Sequence, residues 1–580
     1  MLAQNPFVEL PGELPLLTIV TFLPAIGAAL IALRPKEAQK AIFGTGIFVS
    51  LLTFVISIGI WRAFDDVVGF QMVDRAEWAP GGIGYALGVD GISILIVMLT
   101  TVIIPIALWS ATKAIEHRVK EFVIAVLVLE TAMVGALLAI DLFLYYVFWE
   151  AMLIPMYLLI GIWGGKNRLY ATTKFFIYTM AGSVLMLVAM VYVYLKGGGV
   201  SSALVDVATT TFTFTRDAPW KSEQTYLFLA FALAFAIKVP LFPLHTWLPD
   251  AHTEAPTAGS VILAAIMLKV GTYGFLRFAF PLFPSAAGYF SPVFLVLAVI
   301  GIVYGAFCAY NQTDVKKLVA YSSVSHLGFV VLGMFAMTRA SVEGSILQMV
   351  NHGISTGGLF LCVGILYERR HSRLISDYGG IAKQLPWFAV FFMVMTLSSV
   401  ALPGTNGFVG EFVILMGSFE EALSSHLDRT LSWTDYITSW RVLMTAGSVI
   451  AVSGVIFGAI YMLSMFRRVM FGEITHEENK HLEDLTPREF GYLMPLAILV
   501  FVMGFFPNVF FDKMRTSVDA FIAYTRPAMV AVRSPETVNA NRRRREGLAA
   551  GTLPGGPADA APPLVFDDAA DLPVPKGVAH

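Results

Sequence analysis

Long apolar segments recur along this chain at a length that suits a lipid bilayer. Runs of about 18–25 apolar residues, enough for a helix to cross the hydrocarbon core, alternate with short polar connections. The pattern predicts an all-α integral membrane protein with about 14 transmembrane helices. We place them at residues 15–33, 41–61, 91–111, 121–140, 142–163, 172–195, 225–248, 257–280, 292–310, 318–337, 346–367, 386–419, 443–466 and 490–510.

Two of these segments carry residues that interrupt a helix. The seventh contains FAIKVPLFPLHTWLPDAH, in which Pro240 and Pro243 cannot donate backbone hydrogen bonds. The twelfth contains ALPGTNGFVGEF, with Pro403, Gly404, Gly407 and Gly410. Kinks of this kind also occur in membrane helices without any functional role. Paired interruptions, however, are typical of transport sites.

The spacing of the two interruptions predicts an internal repeat. They lie five segments apart, and an odd number means that a second five-helix unit crosses in the opposite direction. Helices 4–8 would therefore be related to helices 9–13 as inverted repeats. The predicted parts are residues 1–120 (helices 1–3), 121–280 (first repeat), 292–468 (second repeat), 489–510 (helix 14) and 531–580 (a disordered polar tail).

Basic residues alternate between the two sets of connections. One set is rich in lysine and arginine and should be cytoplasmic. With an even helix count, both termini then lie on the outer, periplasmic side of a bacterial inner membrane. The basic set comprises Arg34, Lys36, Lys40, Lys113, Arg118, Lys120, Lys166, Arg168, Lys174, Lys316, Lys317, Arg369, Arg370, Arg373, Lys383, Arg467, Arg468, Lys480 and Arg488.

Composition supports a membrane protein and argues against several other classes. Hydrophobic residues make up 57% of the chain and charged residues 14%, against about 25% charged residues in a soluble domain. A net charge of -2 argues against a nucleic-acid partner. Cys308 and Cys362 cannot hold an iron–sulfur cluster by themselves. We predict no cofactor and no metal in this chain, and the N-terminus does not resemble a cleaved signal peptide.

Four charged residues lie deep inside apolar segments: Glu150, Lys238, Lys269 and Glu411. On the translocon-insertion scale, each charge at mid-bilayer costs about 2.5–3.5 kcal/mol. These side chains must therefore face the protein interior, form pairs or contact water. One interpretation is a static set of salt bridges, although buried pairs are poor stabilisers. The favoured interpretation is a proton relay, with Glu150 beside Lys238, then Lys269, and Glu411 as the last group.

Histidines complete the predicted relay. His326 and His352 lie in the tenth and eleventh segments among serine, threonine and asparagine, and histidine exchanges protons near neutral pH. A hydrogen-bonded packing role is the alternative, and a haem pair is disfavoured. His245 and His252 flank the end of the broken seventh helix with Asp250 and Glu254, where a route for protons and a loop cap both remain open. Glu130 in the fourth segment is a weaker candidate.

Several stretches strongly resemble one known family. They are FWEAMLIPMYLLIG, FAIKVPLFPLHTWLPDAHTEAPTAGSVILAAIMLKVGTYG, VKKLVAYSSVSHLGF and LPGTNGFVGEF. The family they resemble is that of the antiporter-like subunits of respiratory complex I. The resemblance covers roughly residues 15–510. It implies fourteen helices, two inverted five-helix bundles and one proton-pumping unit of a larger enzyme. Glutamate at position 411, where sibling subunits carry lysine, resembles the M type of this family.

The resemblance also implies partners and locates the redox chemistry elsewhere. Sibling subunits of types L and N would lie on either side, lipids would surround the helices, and flavin, iron–sulfur clusters and quinone would belong to other subunits. Three alternatives remain: a subunit of a multi-subunit sodium/proton antiporter, the membrane arm of a ferredoxin- or hydrogenase-linked complex, and a purely structural scaffold. The long C-terminal tail departs from the usual family pattern.

Overall fold

The computed structural model describes residues 6–12, 14–424 and 439–533, which are mostly helical. Its first half contains ten helices within these ranges. They are α1 Leu16–Ala32, α2 Gln39–Ala63, α3 Ile94–Ala114, α4 Val119–Leu138, α5 Leu142–Ala151, α6 Leu153–Trp163, α7 Arg168–Lys196, α8 Leu204–Val207, α9 Glu223–Lys238 and α10 Trp247–Glu254.

The second half continues with nine helices in the described ranges. They are α11 Thr257–Leu282, α12 Pro284–Tyr310, α13 Val315–Ala336, α14 Arg339–Arg370, α15 Pro386–Ser399, α16 Asn406–Ser424, α17 Trp440–Met470, α18 Pro487–Phe505 and α19 Asn508–Arg533. Short 3₁₀ turns lie at Pro219–Lys221, Ile375–Asp377, Ile381–Lys383 and Glu477–His481.

Eleven helical segments of the described residues are long and apolar enough to cross a membrane, with α5 and α6 counted as one. The shorter apolar helices α1 and α15 supplement them. This confirms the predicted helical membrane protein. The count of fourteen and the inverted repeats stay predictions.

Both predicted interruptions occur in the structure. α9 ends at Lys238, and the chain turns through residues 239–246 before α10 begins. The Trp247 indole N–H donates to the Ile237 carbonyl over 2.9 Å, which satisfies one backbone acceptor exposed by the break. The second interruption separates α15 from α16. Here the Ser398 hydroxyl donates to Asn406 Oδ1 over 2.5 Å and closes the gap between the two helix ends.

Helix α11 contains a feature that the sequence does not predict. It has two π-helical segments, Leu263–Met267 and Phe275–Ala279. A π segment inserts an extra residue into a turn and rotates the residues that follow, and such segments are frequent at functional sites. Lys269 comes directly after the first of them.

Two strands of a small sheet lie between α2 and α3, and the third strand precedes α1. β1 Glu9–Pro11 pairs in parallel with β2 Phe70–Ala79, and β2 pairs antiparallel with β3 Ile83–Val89. Gly81 and Gly82 both have positive φ, at +84° and +70°, which a tight hairpin turn requires. The rest of the described chain is predominantly helical, in agreement with the predicted all-α class.

The last helix was also not predicted. α19 is amphipathic and runs to Arg533, and residues 534–580 of the predicted tail lie outside the described residues. Contacts hold α19 beside the loops at one end of the bundle. The Lys513 ammonium donates to the Phe64 carbonyl over 2.6 Å, and the Tyr524 hydroxyl donates to the Ala208 carbonyl over 3.0 Å.

The most deeply buried helices are α11, α13 and α14. Nearly every residue in the apolar stretch of each of these helices is buried inside the protein. By contrast, α2, α7 and α17 have one face on the protein surface. Polar side chains on these three central helices are therefore shielded from lipid. The predicted relay residues Lys269, His326 and His352 all lie there.

Candidate functional site

Lys269 and His352 are in direct contact at the centre of the bundle. The Lys269 side chain is completely buried. Its ammonium group lies 2.6 Å from Nδ1 of His352 on α14, and it also donates to the carbonyl of Ala264 in the first π segment. A lysine that donates to Nδ1 leaves the proton of the neutral imidazole on Nε2. The pair therefore links α11 to α14 through a transferable proton.

His326 and Glu411 form a second contact. His326 Nδ1 on α13 lies 2.8 Å from Glu411 Oε1 on α16, and both side chains are at least 93% buried, with exposures of 7% and 4%. The Gln348 amide donates to the same carboxylate oxygen over 3.1 Å. On the other side of the ring, His326 Nε2 contacts the Ser399 hydroxyl at 3.2 Å and the Tyr461 hydroxyl at 3.4 Å.

A short gap separates these two contacts. The imidazole centroids of His326 and His352 lie 6.0 Å apart. His352 Nε2 is buried and has no hydrogen-bond partner among the described residues. Polar side chains line a small cavity beside both rings: Gln348, Asn351, Ser355, Thr356, Ser398 and Ser399. Such a lining provides the two to four polar contacts that a buried water requires.

Glu150 and Lys238 lie at the other end of the predicted relay. The two groups attract each other, but no ion pair within 4.0 Å joins them in the described part of the chain. The Lys238 ammonium instead lies 4.7 Å from the centroid of the Trp149 ring, a cation–π contact. Glu150 accepts a hydrogen bond from the Ser183 hydroxyl. The structure thus places them as neighbours rather than as a closed salt bridge.

Gly271 brings Lys238 close to the helix that carries Lys269. A Cβ atom at position 271 would lie 3.0 Å from Cβ of Lys238, so α9 and α11 approach each other closely at this level. Lys238 therefore packs against α11 beside Gly271, which is two residues along the chain from Lys269.

The lower-priority candidates lie away from these contacts. Asp250 pairs with Lys174 over 2.7 Å, and His245 packs against the rings of Phe242 and Tyr304. Glu130 is buried and accepts a hydrogen bond from the Ser50 hydroxyl over 2.9 Å. None of these four contacts involves Lys269, His352, His326 or Glu411.

Sequence reasoning missed several polar groups. Gln348, Ser399 and Tyr461 contact His326 or Glu411, but neutral polar residues in membrane helices carry no distinctive signal. Arg277 did carry one, since it is a lone cation in an apolar segment. Its guanidinium donates to Asp90 Oδ1 over 2.5 Å and to the Tyr273 hydroxyl over 2.9 Å.

Together these side chains can exchange protons but offer no redox centre. Lysine, histidine and glutamate side chains on α11, α14, α13 and α16 can act in turn as donors and acceptors of a proton. Within the described ranges, no group of three or more metal-ligating side chains could hold a metal ion. The arrangement suits proton transfer between buried groups.

Known proteins are similar in sequence to most of this chain. The NADH-quinone oxidoreductase subunit M of Rhodobacter capsulatus is 45% identical over 517 residues, covering 87% of this chain and 95% of the relative. The chain belongs to the NADH-quinone oxidoreductase subunit M family. The Marchantia polymorpha NADH-ubiquinone oxidoreductase chain 4 is 40% identical over 505 residues, covering 87% of this chain and 96% of that relative. The transmembrane family NADH:quinone oxidoreductase/Mrp antiporter matches residues 139–426.

Solved structures share the fold of this chain. A chain of respiratory complex I from Thermus thermophilus superposes with a TM-score of 0.77 at 30% identity, covering 88% of this chain and 99% of that one. A chain of the Mrp complex from Dietzia has the same fold, with a TM-score of 0.71 at 21% identity, covering 92% of this chain and 60% of that one. The helical membrane architecture is therefore that of the antiporter-like subunits.

Proposed function

We propose that this subunit M protein translocates protons across a bacterial inner membrane as part of a proton-translocating NADH–quinone oxidoreductase. Quinone reduction elsewhere in the complex drives the transfer. Glu150, Lys238, Lys269, His352, His326 and Glu411 carry the protons. The observation that supports this most directly is the pair of contacts Lys269–His352 and His326–Glu411, which leave a gap of only 6.0 Å between the ring centroids.

The relay works by moving protons between groups whose charges depend on each other. When Glu150 is ionised, it stabilises the ammonium form of Lys238; when Glu150 is neutral, burial favours proton release from the lysine. The released proton reaches Lys269 and then His352, and a water in the polar cavity passes it to His326. Glu411 receives it beside the second break and releases it towards the outer side.

Glu150 also indicates where a partner subunit packs. Its carboxylate is only half-buried on α5, in a segment that crosses the membrane. A charged group left against lipid is costly, so this face needs protein cover. We infer that a sibling subunit of type L or N covers it and that flavin, iron–sulfur clusters and quinone are bound by other subunits.

The test is proton pumping by the whole complex reconstituted in liposomes. Lys238→Ala should assemble and still oxidise NADH, but it should lose most of its proton transfer because alanine cannot bind the proton that Lys238 carries. Glu150→Gln should also lower proton transfer, and Glu150→Asp should lower it less. The matched control is Lys383→Ala, an exposed lysine outside the membrane segments. A normal proton-to-electron ratio in Lys238→Ala would contradict the relay.

The family description also names Mrp antiporters, so sodium is a second candidate for the transported ion. The same liposomes distinguish the two. Pumping that is unchanged in sodium-free buffer favours protons, and pumping that requires sodium favours the antiporter interpretation.

A further inference from the structure

Arg277 and Asp90 form a buried ion pair at the end of the bundle that the positive-inside pattern predicts to be outer. The guanidinium donates to Asp90 Oδ1 over 2.5 Å, and the two side chains are only 4% and 6% exposed. Asp90 also accepts hydrogen bonds from the backbone N–H groups of Ile92 and Ser93, just before α3 begins. The pair therefore joins α11 to the start of α3.

Arg277 makes two further contacts. Its Nε donates to the Tyr273 hydroxyl over 2.9 Å, and that hydroxyl donates to the Leu137 carbonyl near the end of α4, also over 2.9 Å. The guanidinium carbon lies 4.7 Å from the centroid of the Phe70 ring on β2, a cation–π contact. One side chain thus fixes α11 against α3, α4 and the sheet.

Arg277 belongs to the second π segment of α11, Phe275–Ala279. π-helical geometry is rare, so contacts outside the helix have to hold the extra residue in place. A regular α-helix turns by about 100° per residue. If this segment relaxed to α-helical geometry, Lys269 would therefore turn by about 100° about the helix axis relative to Arg277.

The contacts of Lys269 depend on its direction. Its ammonium group lies 2.6 Å from Nδ1 of His352 and also donates to the Ala264 carbonyl. A turn of about 100° would carry the ammonium group away from the imidazole. The direct link between α11 and α14 would then be lost.

We propose that Arg277 and Asp90 are positioning residues that keep Lys269 directed at His352. This inference rests on the proposed function. A guanidinium does not release its proton in proteins, so the pair acts through geometry rather than as a step of the relay. It restrains the second π segment, and the segment sets the rotation of Lys269.

Neutral replacement of both partners in the complete complex tests this assignment. Arg277→Met combined with Asp90→Asn leaves no unpaired buried charge, so the complex should assemble and oxidise NADH. Its proton pumping in liposomes should fall at least about tenfold, because a displacement of about 1 Å in a reacting group can cost about 100-fold. Tyr273→Phe is a milder second variant that removes only one hydroxyl, and it should lower pumping by about fivefold.

The pH dependence of pumping distinguishes positioning from a general loss of structure. In both variants the loss should be larger at alkaline pH, because the displaced ammonium lacks the two acceptors that stabilise its charged form. A smaller number of intact complexes would instead lower pumping equally at every pH. The titratable groups around Lys269 are His352 on α14, His252 on α10 and Lys238 on α9.

The matched control is a second buried ion pair, between Arg369 on α14 and Glu489 on α18. Its atoms lie 2.7 Å apart, and the side chains are 12% and 3% exposed. Arg369→Met combined with Glu489→Gln removes a pair of similar depth that has no contact with α11 among the hydrogen bonds and ion pairs of the described residues. This variant should pump normally.

The outcomes separate the positioning role from the proposed function. A loss that is equal at every pH, or an equal loss in the control pair, would show a structural role and overturn the assignment. If the double variant does not assemble, the pH dependence of Tyr273→Phe decides in the same way. Normal pumping in the assembled variants combined with a loss in Lys238→Ala would overturn the positioning role alone. Normal pumping in Lys238→Ala as well would overturn the relay.

Discussion

His326 joins more polar groups than any other residue of the candidate relay in the described chain. It contacts Glu411 through Nδ1 and two hydroxyl groups through Nε2. Its two nitrogens can therefore exchange donor and acceptor roles without movement of the ring. A static packing histidine has no need of an ionisable partner, so this environment favours a role in proton transfer.

Glu411→Gln isolates the proton-binding role of this glutamate. Glutamine keeps the size of the side chain and an acceptor for Gln348 and His326, but it cannot bind the transferred proton. We expect proton transfer in liposomes to fall at least about tenfold, while assembly and NADH oxidation by the uncoupled complex are retained.

Glu420→Gln provides the control for this change. Glu420 lies on the same helix but is exposed, so this variant should pump normally. Equal pumping by Glu411→Gln and the unchanged protein would contradict the assignment of Glu411 as the last group of the relay.

Residue types revealed most of the relay because charges inside apolar segments are rare. Glu150, Lys238, Lys269 and Glu411 could each be found from that rule alone. Their pairing could not, since Lys269 meets His352 across 83 residues of sequence. A close Glu150–Lys238 pair was predicted, but no sequence pattern indicates the contact between Lys238 and the Trp149 ring. Contacts between helices depend on rotations that sequence patterns do not specify.

The two interrupted helices show what sequence predicts well at the level of elements. Proline marks both breaks because it lacks an N–H, and glycine also marks the second break because it fits where the backbone comes close. The π segments of α11 have no such marker, since a single extra residue in a turn leaves the apolar pattern almost unchanged. Their effect on the direction of Lys269 was accordingly not predictable.

Gly407→Ala tests the geometry of the second break. A Cβ atom at position 407 would lie 2.0 Å from the Ser398 carbonyl oxygen, so the ends of α15 and α16 must move apart. Gly407 also lines the polar cavity beside His326. We expect destabilisation by about 1–3 kcal/mol and a clear loss of proton pumping, measured by thermal unfolding and in liposomes.

Gly59→Ala is the matched change in an open position. A Cβ atom there meets nothing within 4 Å on α2, so the variant should be stabilised by about 0.5–1 kcal/mol and should pump normally. If both alanine variants behaved alike, the tight break would have no functional importance.

At the scale of the whole molecule, the sheet and α19 pack together at one end of the helices. Apolar segment length identifies helices that cross a membrane but says little about elements that lie on its surface. The hairpin turn Pro80-Gly81-Gly82 was a usable signal, whereas α19 was obscured by its alternation of charged and apolar residues. These elements join distant parts of the chain, as in the bond from the Gly91 N–H to the Ser517 hydroxyl, 2.9 Å long.

Glu421 anchors α19 to the helix that carries Glu411. Its carboxylate accepts hydrogen bonds from Arg526 over 2.7 Å and from the Trp440 indole over 2.9 Å. Arg533 lies 3.5 Å from the same carboxylate, and its guanidinium lies 4.2 Å from the centroid of the Trp440 ring. Both Glu421 and Arg533 are almost completely buried, with side-chain exposures of 4% and 2%. α16 and α19 are therefore coupled by a buried charge cluster.

Glu421→Ala should release α19 from the bundle, because it leaves the buried charge of Arg533 without its carboxylate partner. We expect destabilisation by about 3–5 kcal/mol, seen as a lower unfolding temperature of the purified complex and faster proteolysis within α19. The control is Asp512→Ala, which breaks an exposed pair with Arg515 and should cost at most about 1 kcal/mol. Equal stability of the two variants would show that apolar packing alone holds α19. A stable Glu421→Ala complex with impaired pumping would instead indicate that the cluster acts on Glu411 through α16.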